Sequence, residues 1–119
     1  MIIGIGLDLI EIDRIEKVVR KHPKFADRVL TPFEKQTYEQ LSGKRKIEFL
    51  AGRFAAKEAY AKARGTGIGG KLSWQDIEIT SENGKPHIIC ASSDETVHLT
   101  ITHTKYYALA QVIIERLSS

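Results

Sequence analysis

The chain has 119 residues, of which 42 % are apolar and 28 % charged, with a formal net charge of +3. This balance excludes a disordered chain and predicts one soluble domain spanning residues 1–119, with a mild preference for anionic partners. No apolar run approaches the ~20 residues needed to cross a bilayer. The start, Met1-Ile2-Ile3, lacks the basic flank of a secretion signal, and the single cysteine, Cys90, excludes a disulfide framework or a CxxC metal site. The expected setting is a reducing cytoplasm, away from the membrane.

Residues 2 to 8 alternate and predict a strand, with Ile3, Ile5 and Leu7 on one face and Gly4, Gly6 and Asp8 on the other. The two glycines leave room for another backbone or a ligand to come close. From Ile12 to Lys21 the pattern turns helical, and Pro23 ends it. Thr31-Pro32-Phe33-Glu34 is a helix start, with Thr31 as N-cap, Pro32 at the first position and Glu34 three residues after the cap. A long central helix follows from about Arg45 to Ala63, and the glycine-rich loop Gly65 to Gly70 terminates it. The last third predicts strands at Trp74 to Thr80 and Pro86 to Ala91 around an Asn83-Gly84 turn, then Val97 to Thr102 and Tyr107 to Glu115 around a second hairpin loop. A strand, then helices, then antiparallel hairpins predict an α+β fold.

Charge placement marks candidate sites. Wound at ~100° per residue, the central helix puts Ile47, Leu50, Ala51, Phe54 and Ala61 on one stripe. Glu58 falls inside that stripe, while Arg53 and Lys57 fall on the opposite flank. A carboxylate withdrawn from water needs a cation or loses its charge. Glu58 alone could pair with Lys62 at i+4, and Asp8 alone could cap a helix. Together they form a sparse all-oxygen pair that suits Mg²⁺ completed by waters and phosphates better than zinc. His103 follows Thr100-Ile101-Thr102 and precedes Lys105, a plausible anion cradle. Gly65, Gly67 and Gly70 match G-x-G-x-x-G, but a helix precedes and a strand follows, the reverse of a dinucleotide site. Arg14, Lys17, Arg20, Lys21, Lys24 and Arg28 crowd one stretch, which is either a solvated face or a docking surface for an acidic partner.

Three segments carry a resemblance: Ile5-Gly6-Leu7-Asp8, Arg53-Phe54-Ala55-Ala56-Lys57-Glu58-Ala59-Tyr60-Ala61-Lys62, and Thr100-Ile101-Thr102-His103. They resemble the G-x-D, [FW]-x-x-K-E-[SA]-x-x-K and Ser-x-Ser-His motifs of the 4′-phosphopantetheinyl transferases, with threonines retaining the hydroxyls of the third. The chain is similar to the short, single-domain branch of that family over essentially its whole length. The resemblance implies transfer of the phosphopantetheine arm of coenzyme A to a serine of an apo-acyl carrier protein, releasing adenosine 3′,5′-bisphosphate, in the service of fatty acid biosynthesis. It implies catalytic roles for Asp8, Glu58, Lys62 and His103, with Mg²⁺ held by Asp8 and Glu58. It assigns coenzyme A to Arg53, Lys57, Lys62, Thr102, His103 and the turn Asn83-Gly84-Lys85-Pro86. The carrier protein is expected on Arg14, Lys21, Lys24 and Arg28. A homotrimer with active sites between subunits is implied as well. Glu58 is the first candidate for proton acceptor, and a water assisted by His103 the second. A small basic nucleic-acid-binding module would rest on charge alone, without an RNP, KH or zinc signature. A non-catalytic acidic-protein-binding domain would have no need of Asp8, Glu58 and Lys62 together.

Overall fold

Strand β1 (Ile2–Glu11) is followed by helices α1 (Ile12–Lys21), α2 (Phe25–Val29), α3 (Pro32–Gln40) and α4 (Gly43–Arg64). A single 3-10 turn at Trp74–Asp76 then leads to strands β2 (Ile79–Glu82), β3 (Lys85–Ile88), β4 (Glu95–His103) and β5 (Tyr107–Arg116). This computed structural model describes residues 1–89 and 94–117. Cys90 and the end of the predicted strand at Ala91 lie outside the described residues. β1, β5 and β4 form an antiparallel sheet in that order, and β2 pairs with β3 in a separate hairpin that packs beside β4. The architecture is the α+β arrangement expected, with one long central helix.

Several boundaries differ from the expected ones, each for a local reason. β1 runs past Asp8 to Glu11 because β5 is long enough to pair with Leu9, Ile10 and Glu11 through Leu109, Ala108 and Tyr107. The predicted strand beginning at Trp74 opens instead as the 3-10 turn. There the Asp76 carboxylate accepts from Ser73 N at 2.9 Å and from Ser73 Oγ at 3.2 Å, curling the chain before β2. α2 was not expected; five residues are too few to show a period, yet Ala26 and Val29 at i and i+3 bury its inner side. The cap of α3 forms as read: Glu34 N donates to Thr31 Oγ1 at 3.3 Å, and Thr31 N donates to Glu34 Oε1 at 2.7 Å. Asn83 and Gly84 both hold positive φ, 52° and 77°, as a tight turn between β2 and β3 requires.

α4 crosses the inner face of the sheet, and the two glycines of β1 permit its approach. A Cβ on Gly4 would lie 2.0 Å from the Ala63 carbonyl oxygen, and one on Gly6 would lie 1.8 Å from that of Ala59. The helix answers with small residues: Ala55, Ala56, Ala59 and Ala63 pack against Ala110, Val112 and Ile114 of β5. A second cluster around Ile12, Ile15, Val29, Leu30, Leu50 and Ala51 seats α1, α2 and α3 on the first half of α4. The glycine face of β1 is thus the buried one. Its apolar face looks outward, leaving Ile5 60 %, Leu7 54 % and Leu9 60 % exposed.

Candidate active site

Because Gly4 meets Ala63 and Gly6 meets Ala59, progress along β1 moves back along α4 toward its N-terminus. Asp8, next on the same face, therefore comes opposite the turn that precedes Ala59 and carries Glu58. Lys62 ties the two elements together: its Nζ donates to Asp8 Oδ1 and to the Leu7 carbonyl, both at 3.0 Å. The Asp8 side chain is 15 % exposed and that of Lys62 53 %, so the pair lines an accessible rim rather than the core. Glu58 is half-buried, and its Oε1 accepts from the Trp74 indole Nε1 at 3.1 Å. Asp8, Glu58 and the Leu7 carbonyl offer only hard oxygen donors, and Asp8 already faces an ammonium. Such a donor set fits Mg²⁺, which keeps several waters and takes phosphate oxygens as further ligands.

The fully buried charge of α4 is Lys57, not Glu58. Its ammonium donates to Glu34 Oε1 at 2.6 Å, to the Val29 carbonyl at 2.7 Å and to the Trp74 carbonyl at 3.0 Å, so all three protons are used. Glu34 in turn accepts from Thr31 N and from Ile79 N. Burial pulls the Lys57 ammonium below its ordinary pKa, with Glu34 opposing the shift. The expectation that Lys57 reaches a phosphate is therefore corrected: it is enclosed and saturated, and it ties α2, α3 and the Trp74 turn to α4.

A second polar cluster lies toward the N-terminal half of α4. His103 Nε2 stands 3.7 Å from Glu48 Oε2, and both border a cavity of about 150 Å³ with Arg45, Phe49 and Arg53. The Arg53 guanidinium lies over the Phe49 ring at 4.4 Å. Its Nε is buried without a hydrogen-bond partner, and burial lowers its pKa. Thr102 and His103 are adjacent in sequence but alternate across β4. Thr102 is exposed on the face that carries Thr100 and His98, whereas His103 meets α4, so the two do not form one cradle within the chain. Lys85 and Pro86 border a groove along β4 with His98 and Thr100.

The expected site is thus divided. Asp8, Glu58 and Lys62 occupy one edge of the sheet, and Arg53 and His103 the other. β5 stands between β1 and β4, a gap of about 9.5 Å at two strand spacings. Along α4, Arg53 precedes Glu58 by five residues, about 7.5 Å on the helix axis, and His103 meets the helix farther back, at Glu48. Arg14, Lys21, Lys24 and Arg28 are exposed and take part in none of the ion pairs found among the described residues; Lys21, Lys24 and Arg28 flank one shallow cleft. Asp27, the acid beside Arg28, is turned away to Lys35.

The model of the 4′-phosphopantetheinyl transferase superfamily matches residues 4–113. The chain belongs to this superfamily. It is 61 % identical to the holo-[acyl-carrier-protein] synthase of Anoxybacillus flavithermus over 120 residues, covering 100 % of both chains. It is also 61 % identical to the enzyme of that name from Bacillus subtilis, again over 100 % of each. Among solved structures it resembles a holo-(acyl-carrier-protein) synthase from Bacillus anthracis in complex with CoA (3′,5′-ADP). That likeness has a TM-score of 0.90 and 50 % identity, and it covers 99 % of each chain. The matched stretch of this transferase contains both polar clusters. Trp74 and Glu48, and the pairing of the capping residue Glu34 with Lys57, escaped the sequence reading; these contacts join residues distant in sequence, and no motif spacing marks them.

Proposed function

We infer that the chain is a holo-[acyl-carrier-protein] synthase, transferring the 4′-phosphopantetheine arm of coenzyme A to a serine hydroxyl of an apo-acyl carrier protein and releasing adenosine 3′,5′-bisphosphate. The observation that carries this reading is the Asp8–Lys62 contact facing the turn of Glu58, inside a chain that matches the superfamily along nearly its whole length. The reaction displaces one phosphate of a pyrophosphate, so positioned charge matters more than covalent help. Asp8 and Glu58 would hold Mg²⁺, which when bound polarises the pyrophosphate and offsets its charge. Lys62, half-exposed beside Asp8, places a mobile ammonium where the leaving diphosphate charge grows. Arg53 borders the cavity beside His103, which suits the remaining phosphate of coenzyme A, while Thr102 and the turn Asn83-Gly84-Lys85-Pro86 are assigned to coenzyme A on the other face of β4. Glu58 receives the serine proton, directly or through a bound water. The basic surface of Arg14, Lys21, Lys24 and Arg28 draws in an acidic carrier.

The homotrimer belongs to the same reading. The outward stripe of Ile3, Ile5, Leu7 and Leu9 is apolar surface for a partner subunit to cover. A neighbour's Arg53 and His103 would then complete the Asp8–Glu58–Lys62 edge, joining what a single chain keeps apart. The enzyme would work as one domain in the cytoplasm, serving fatty acid biosynthesis; no helix among the described residues is long and apolar enough to cross a membrane. Glu58→Gln tests the chemistry. It preserves size and fold, and it is expected to lower transfer to apo-carrier at least 100-fold, in the range typical of a lost general base. Near-normal turnover with Mg²⁺ would rule out Glu58 in both roles.

A further inference from the structure

Trp74 is gripped at both ends by neighbouring residues of one helix. The Lys57 ammonium holds its backbone carbonyl at 3.0 Å, and the carboxylate of Glu58 holds its indole N–H at 3.1 Å. The ring itself is wedged between Phe25, edge-on at 6.2 Å between centroids, and Phe54, tilted at 5.9 Å. Phe25 begins α2, the short helix that carries Arg28. A tryptophan needed only to fill space could turn its N–H to water, and phenylalanine would pack as well. Here the one polar atom of the ring is spent on a single oxygen of a half-buried carboxylate. Glu58 has three side-chain torsions and, among the described residues, no other hydrogen bond, and a free carboxylate would sample many orientations.

We propose that Trp74 is a positioning residue for the active site: its indole N–H fixes Glu58 Oε1 and thereby leaves Oε2 as the oxygen that would bind the cation. The proposal rests on the reading of Glu58 as a Mg²⁺ ligand. Hydrogen bonds to a ligating carboxylate set its direction, and losing one costs about 10- to 100-fold in metal affinity. The Lys57–Glu58 pair of the motif thus acts as a two-sided clamp, one residue anchoring the tryptophan backbone and the next using its side chain.

The chain contains a single tryptophan, so emission excited above the tyrosine absorption reports on the surroundings of this ring. The first measurement titrates MgCl₂ into the unaltered protein with coenzyme A present and no carrier protein, at matched ionic strength. Emission is expected to change along a saturating curve whose midpoint matches the Mg²⁺ concentration that half-activates transfer, and Glu58→Ala is expected to abolish the change. The second uses Trp74→Phe, which keeps the aromatic packing and removes the N–H. The Mg²⁺ concentration for half-maximal transfer should rise about 10-fold or more, with the coenzyme A KM and the melting temperature little changed. Emission that ignores Mg²⁺, together with an unaltered Mg²⁺ requirement in Trp74→Phe, would overturn the proposal. Glu58→Ala with normal Mg²⁺-dependent turnover would instead overturn the reading of Glu58 on which it rests.

Discussion

Lys57 and Glu58 are neighbours on α4, yet one is sealed in the core and the other borders the candidate active site. A single-stripe helical wheel placed them the other way round, because α4 is covered on two sides. The sheet takes Ala55, Ala59 and Ala63, while α2, α3 and the Trp74 turn take Leu50, Ala51 and the Lys57 side chain. The buried arc is therefore wider than one stripe. Nothing near Lys57 in sequence announces this, since Glu34 is 23 residues away. Lys57→Met removes the ammonium hydrogen-bonded to the buried Glu34 carboxylate, although two backbone N–H groups still bind it and Arg53 lies close enough to act on its charge. Removing one partner of a buried pair costs about 3–5 kcal/mol, and urea denaturation should show a loss of that size. A loss below about 1 kcal/mol, the level of an exposed pair, would mean that the enclosed ammonium does not hold these elements together.

At the scale of elements, β1 and α4 are the most legible, because each carries its own pattern: Gly4 and Gly6 leave room for a backbone or a ligand, and the backbone of α4 fills it. α2 was not legible, since one and a half turns bury only two residues. Its role lies in what it displays. α1 and α2 set Arg14 and Arg28 on exposed surface, apart from the Arg20–Glu16 and Lys35–Asp27 pairs that occupy their neighbours. Charges left unpaired on a rim act mainly on encounter with a partner of opposite sign. Reversing both, Arg14→Glu with Arg28→Glu, should raise the carrier-protein KM about 10-fold or more and flatten its salt dependence, while the coenzyme A KM holds steady. An unchanged carrier KM would free these two helices from any part in docking.

For the whole molecule, the separation of the two polar clusters is the decisive fact. Sequence motifs report which residues act together without reporting which chain supplies them. Lys62 contacts Asp8, with Glu58 one turn before it on α4; Arg53 and His103 border a separate cavity, and β5 stands between β1 and β4. Ile5, Leu7 and Leu9 are exposed, and in the proposed trimer they are the surface on which a second copy would bring the halves into register. Co-assembly of Glu58→Gln with Arg53→Gln tests this without any structure. Each variant alone should be nearly inactive, whereas random mixed trimers would rebuild about a quarter of their sites from two sound halves. Recovery of activity on mixing is expected; none at all would place the complete site within one subunit.

The central claim is a covalent transfer, and the mass of the acceptor tests it most directly. The protein is incubated with coenzyme A, Mg²⁺ and an apo-acyl carrier protein, and the carrier is then weighed. The account predicts that the carrier gains one phosphopantetheine arm on its serine, with adenosine 3′,5′-bisphosphate released in equal amount, and that Glu58→Gln leaves the carrier in its apo form. A carrier of unaltered mass after incubation with the unsubstituted, folded protein would contradict it.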